Sequence, residues 1–110
     1  MTALPLLTDE PRLMTTYVCP PHLTTDSRVE FRTRVLEALE NAVSEAAPTV
    51  TLDLGTVVEI DASGLGVLIL LQKRAREQHV RVRLLNVPRA VAQLLDETRM
   101  GPLFEIVRPS

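Results

Sequence analysis

Tryptophan is absent from this 110-residue chain, and Tyr and Phe supply one and two positions. Aromatics at 3% cannot furnish the stacking platforms that hold single-stranded nucleic acid. The interior must therefore be aliphatic. Excess charge of one sign is also missing. The formal net charge is −2, without the basic footprint of a nucleic-acid partner. Lys73 is the only lysine; the other cations are Arg, which reads as codon bias of a GC-rich genome. Arg74, Arg76, Arg81 and Arg83 cluster, and their pattern reads as a solvated helix end followed by the exposed face of a strand.

Cys19 is solitary, so no internal disulfide can form, and no metal-ligand spacing surrounds it. His22 and His79 lie far apart with no Cys or acidic pattern beside them, which argues against zinc. No cofactor is expected. The longest apolar run, Leu65 to Leu71, is interrupted by Gly66 and falls short of the ~20 residues that span a bilayer. Met1 to Glu10 lacks the basic start and apolar stretch of a signal peptide. The expectation is a cytoplasmic protein without direct membrane insertion.

What is present suits one compact domain. Apolar residues at 45% and charged residues at 24% are ordinary for a folded chain. Residues 1–11, with Pro5 and Pro11, read as a flexible lead-in, and residues 12–110 as the domain. Met14 to Cys19 is a strand candidate ended by Pro20 and Pro21. Ser27 opens a helix, and Glu30 completes a capping box with it. Phe31, Val35, Leu39, Ala42 and Val43 give that helix an apolar face, and Pro48 marks its end. Val50 to Leu54 alternates as a strand. After Asp61, Ser63 and Gly64 a helix runs from about Leu65 to Gln78, apolar nearly all round at first and charged later. Val80 to Leu85 is another strand. Asn86 is placed to cap the next helix, with Pro88 in its first turn; Gly101 and Pro102 stop it, and Leu103 to Val107 is a last strand. The order β-α-β-α-β-α-β implies a single α/β domain, a mixed β-sheet with helices packed against it.

The informative stretch is Leu52-Asp53-Leu54 followed by Asp61-Ala62-Ser63-Gly64-Leu65-Gly66. It resembles the signature of STAS domains, the family of sulfate transporters and anti-sigma-factor antagonists. Asn86-Val87-Pro88 through Leu94-Leu95 to Leu103-Val107 resembles that family's C-terminal helix and strand. The resemblance implies an anti-sigma-factor antagonist in a partner-switching cycle that regulates transcription. Unphosphorylated, it binds an anti-sigma factor serine kinase. Phosphorylation on Ser63 releases it, and a serine phosphatase acting on phospho-Ser63 resets it. Elementary physics agrees with Ser63 as acceptor, because a helix start has free N–H groups and partial positive charge that favour an anion. Ser is also a common helix N-cap, and the two roles are compatible.

The resemblance further implies partner contacts at Asp61, Ala62, Gly64 and Leu65. Leu65 reads equally well as core. Gly64 and Gly66 read as sites of close backbone approach. There are departures. Ala62 stands where the family often has Ser. A second contact loop, Gly-x-Leu-Asp in the family, reads Pro21-His22-Leu23-Thr24 here, with Pro21 for Gly and Thr24 for Asp. The resemblance places partner contacts at Thr24 and Asp26, and the change implies either that Asp26 substitutes for the missing Asp or that the partner differs. The alternatives are a peripheral STAS subunit of a lipid or anion transporter complex, or a scaffold subunit of a stress-sensing assembly. No nucleophile–base pair, metal set or Gly-x-x-x-x-Gly-Lys loop is present, so no enzyme is expected; nucleotide binding stays open.

Overall fold

A computed structural model describes residues 15–107. The lead-in expected over residues 1–11, and Met14 of the first expected strand, lie outside the described residues. The elements are β1 (Thr15–Val18), β2 (His22–Leu23), α1 (Arg28–Ser44), β3 (Thr49–Asp53), β4 (Glu59–Ile60), α2 (Ala62–Glu77), β5 (Arg81–Leu85), α3 (Arg89–Thr98) and β6 (Glu105–Ile106). Short 3-10 turns occupy Thr25–Ser27 and Gly101–Leu103.

β1, β3, β5 and β6 form one sheet in the order β1-β3-β5-β6. A separate two-strand ribbon pairs β2 with β4. Every pairing among the described residues is parallel, so an antiparallel member of a mixed sheet is not among them. Parallel neighbours need crossovers, and α1 and α2 supply two of these: α1 joins β1 to β3, and α2 joins β3 to β5.

The helices form because their apolar residues share a face. Phe31, Val35, Ala38, Leu39 and Ala42 of α1 are buried at three- and four-residue steps. Val43, grouped with them in the sequence, is 41% exposed. In α2 the buried residues are Gly64, Leu65, Val67, Leu68, Leu71 and Ala75. These two faces close over Val50, Leu52, Val82 and Leu84 of the central strands, all at most 2% exposed. The core is mainly aliphatic, as expected; its buried aromatics are Phe104 and Phe31, and the Phe31 ring stacks on Tyr17 at 6.5 Å between centroids. Arg74 and Arg76 end α2 in solvent, and Arg83 pairs with Glu105 across β5 and β6 at 3.1 Å.

Several boundaries differ from the sequence reading. Ser27 precedes α1, but its hydroxyl turns back, donating to the His22 carbonyl (2.6 Å) and accepting the Thr24 N–H (3.1 Å). The box with Glu30 is not formed; the Glu30 carboxylate instead lies 3.9 Å from Arg34. α2 starts at Ala62, three residues earlier than expected, because Asp61 rather than Ser63 caps it. Asn86 does not cap α3. Its backbone is left-handed (φ 54°) and its amide donates to Asp53 Oδ1 at 3.1 Å. α3 stops at Thr98, ahead of Gly101 and Pro102, with Arg99 left-handed at φ 59°. Ala46 (φ 56°) and His79 (φ 61°) do the same just beyond α1 and α2. All three helices thus end without the glycine usual at such positions.

Candidate functional site

The site is built where the β2–β4 ribbon meets the start of α2. The Asp61 N–H donates to the Leu23 carbonyl at 3.2 Å, continuing the ribbon by one step. Asp61 has extended backbone (φ −122°, ψ −171°) and caps α2. Its Oδ1 accepts the N–H groups of Ser63 (2.8 Å) and Gly64 (3.2 Å), two of the donors a helix start leaves free. Its Oδ2 accepts the N–H of Thr25 (3.1 Å) and the Thr25 hydroxyl (3.4 Å). One carboxylate therefore ties the 3-10 turn to the helix.

Burial pulls the Asp61 carboxyl upward, but the donors from Gly64, Thr25 and Ser63 outweigh it and hold the group below its ordinary value. The carboxylate stays ionised at neutral pH. Asp53 is held low in a similar way, by the Gly55 N–H and then the Asn86 amide.

Ser63 occupies the second position of α2, half-buried, with its Oγ 3.0 Å from Thr25 Oγ1. It is not the cap. Two of the helix-start N–H groups that the sequence argument offered to an anion are already taken by Asp61. Ala62, just before it, is exposed.

Gly64 is required by close approach. A Cβ there would strike the Leu23 carbonyl oxygen and lie 2.9 Å from its carbon. Gly66 departs from the sequence reading, because a Cβ on it would meet nothing within 4 Å. Leu65 is 7% exposed and packs in the core. Thr24 is half-buried and Asp26 exposed, both at the turn beside Asp61.

Thus Thr24, Asp26, Asp61, Ala62, Ser63 and Gly64 come together across some 40 positions of sequence. Sequence reasoning missed Thr25, the residue that touches both Asp61 and Ser63. It also missed the ribbon that delivers Thr25, since two-residue strands carry no periodicity. His22 lies in that ribbon with Nδ1 2.6 Å from Glu59 Oε1.

A parallel sheet layered with helices, with Asp61 capping the helix whose second residue is Ser63, makes a small α/β domain. The chain belongs to the STAS domain family: the family model described as "Mlab, STAS domain" matches residues 22–107. No curated protein sequence matches it significantly. Among solved structures it resembles a candidate anti-sigma factor antagonist of Thermotoga maritima, with a TM-score of 0.71 at 19% identity over 86% of this chain and 80% of that one. It resembles the Bacillus cell fate determinant SpoIIAA in its phosphorylated form, with a TM-score of 0.64 at 16% identity over 88% and 85%. It also resembles a sulfate transporter family protein of Wolinella succinogenes, with a TM-score of 0.68 at 17% identity over 87% and 78%. These likenesses establish the fold. STAS domains are generally non-catalytic regulatory or scaffold domains. Among the described residues no helix is long and apolar enough to cross a membrane.

Proposed function

We propose that this chain is a cytoplasmic anti-sigma-factor antagonist that works by partner switching, with Ser63 as the phosphoacceptor. The observation that carries the reading is the setting of Ser63. Its half-buried side chain lines an open groove at the start of a helix, while Asp61 fixes the backbone beneath it by hydrogen bonds of 2.8 and 3.2 Å. The surface can therefore change charge while the fold stays put. Likeness to SpoIIAA, a protein with known phosphorylated and unphosphorylated forms, supports the same reading.

In this cycle the unmodified protein docks on an anti-sigma factor serine kinase through Thr24, Asp26, Asp61 and Ala62 around Ser63. Gly64 and Leu65 act from below, holding the surface in place. The kinase supplies ATP. The Ser63 oxygen bonds to the γ-phosphorus, the bond to the β–γ bridging oxygen breaks, ADP leaves, and the hydroxyl proton passes to a base of the kinase. The product carries about −1.5 to −2 charges on a surface that docked as a neutral hydroxyl. An uncompensated dianion in such a contact is costly, so the complex separates. A serine phosphatase restores the hydroxyl.

The likeness to a sulfate transporter family protein and the "Mlab" description of the matching family support a second reading, a peripheral subunit of a lipid or anion transporter. The two separate on phosphoryl transfer. With γ-labelled ATP and extract of the producing cells, the antagonist reading expects label on Ser63 and none on Ser63→Ala. Equal labelling of both proteins, or of neither, would overturn it.

A further inference from the structure

A phosphoryl group on Ser63 would find the nearest helix donors occupied. Asp61 Oδ1 already holds the amides of Ser63 and Gly64. The Asp61 carboxylate also stands close by and repels a second anion, with exposed Asp26 on the same turn-side rim. Neutralising cations must come from another element.

Ser63 lines a groove of about 570 Å³ between α1 and α2. The charged residues in its wall are Arg28 and Arg32 of α1. Four positions apart, they share one helix face. Arg28 is the first residue of α1, where the partial positive charge of the helix end disfavours a cation. Among the described residues neither arginine pairs with a carboxylate, whereas Arg34 on the same helix is engaged by Glu30 and Glu37. Gly66, one turn beyond Ser63, leaves the groove open at that point.

We propose that Arg28 and Arg32 form an intramolecular clamp for the phosphate of phospho-Ser63. The inference deepens the switch reading and rests on Ser63 being the modified residue. Guanidinium groups meet phosphate oxygens through paired charge-assisted hydrogen bonds. Closing the clamp draws two α1 side chains over the groove beside Val29, which is 70% exposed in the open form. Modification then withdraws a docking surface as well as adding charge.

The test uses protein with phosphoserine installed at position 63 during translation, so that no kinase is needed. Its second phosphate ionisation, near pH 6 for an unperturbed phosphoserine, is followed by phosphorus NMR. Arginines favour the dianion and lower this pKa; Asp61 and Asp26 act in the opposite sense. The clamp expects Arg28→Ala with Arg32→Ala to raise the value by about one unit, each single change to raise it in part, and Arg34→Ala to leave it unmoved. An unchanged value in the double variant overturns the clamp. Both arginines are exposed, and the single variants report separately from any effect of the double on folding. If the clamp is seen but no kinase modifies Ser63, the switch reading fails alone; if a kinase is found and the pKa does not move, the clamp fails alone.

Discussion

The α-carbon of Gly64 lies against the backbone of Leu23, so close that a Cβ would sit 2.9 Å from the Leu23 carbonyl carbon and Cβ. The same Leu23 carbonyl accepts the Asp61 N–H at 3.2 Å. This contact sets the turn at Thr25–Ser27 beside Ser63. A methyl group at position 64 must push the ribbon off the helix. Gly64→Ala should lower stability by about 2 kcal/mol, the range of overpacking a filled site. Gly66→Ala, facing open space inside a helix, should raise it by up to ~1 kcal/mol. Urea unfolding midpoints check both.

Thr25 joins the two halves of the site through its contacts with Asp61 Oδ2 and Ser63 Oγ. Thr25→Val keeps the backbone donor and the shape while removing the hydroxyl. Because the residue is exposed, the loss should be at the low end for a hydrogen bond, about 0.5 kcal/mol. The Ser63 hydroxyl loses its neighbour, and the expected result is a changed rate of Ser63 modification with little change in unfolding midpoint. Parallel labelling and urea titrations on the same preparation measure the two effects.

Asp61 and Asp53 are both held below the ordinary carboxylate value in the folded state. Such groups add stability that is present above the unfolded-state value of about 3.9 and is lost as pH falls through the folded value. Stability should therefore be steady near neutrality and fall below about pH 4. Asp61→Asn and Asp53→Asn should each flatten that fall, because Asn accepts hydrogen bonds without titrating. Unfolding midpoints between pH 7 and pH 3 decide the point.

Cys19 is 1% exposed, and burial, with a smaller push from Asp53, raises its thiol to about 12. Reactivity needs the thiolate. The folded protein should resist a disulfide reagent at pH 8, and labelling should follow global unfolding as urea is added. Rapid labelling in the absence of urea would contradict the burial of this residue.

Ala46, His79 and Arg99 hold left-handed backbone at the three helix ends. Each is strained relative to Gly, although Gly also gains freedom in the unfolded chain. Ala46→Gly and His79→Gly should raise the thermal midpoint slightly, by about 0.5 kcal/mol of stability each. Calorimetry checks this.

The long elements were legible because burial imprints periodicity. Phe31, Val35, Leu39 and Ala42 in α1, and Val82 and Leu84 in β5, are spaced as their structure requires. The helix ends were less legible. Gly101 and Asn86 carried the expected local chemistry, but Arg99 and Pro88 took the terminal positions, and the Asn86 amide went to Asp53 instead. At the site, the chain around Asp61 to Gly64 announced itself through its motif. Which residue caps the helix did not follow from composition: Asp and Ser both cap well, and extended backbone at Asp61 decided between them. Thr25, Arg28 and Arg32 were silent, because their relation to Ser63 exists only once α1 and the β2–β4 ribbon are folded against α2.

The central claim is that a charge on Ser63 changes the partner. The direct measurement is paired capture from extract of the producing cells on Ser63→Ala and Ser63→Glu proteins, with bound proteins quantified by mass spectrometry. The account predicts an ATP-dependent serine kinase retained by the Ala form and lost by the Glu form. The same partners in equal amount on both, transporter subunits above all, would contradict it.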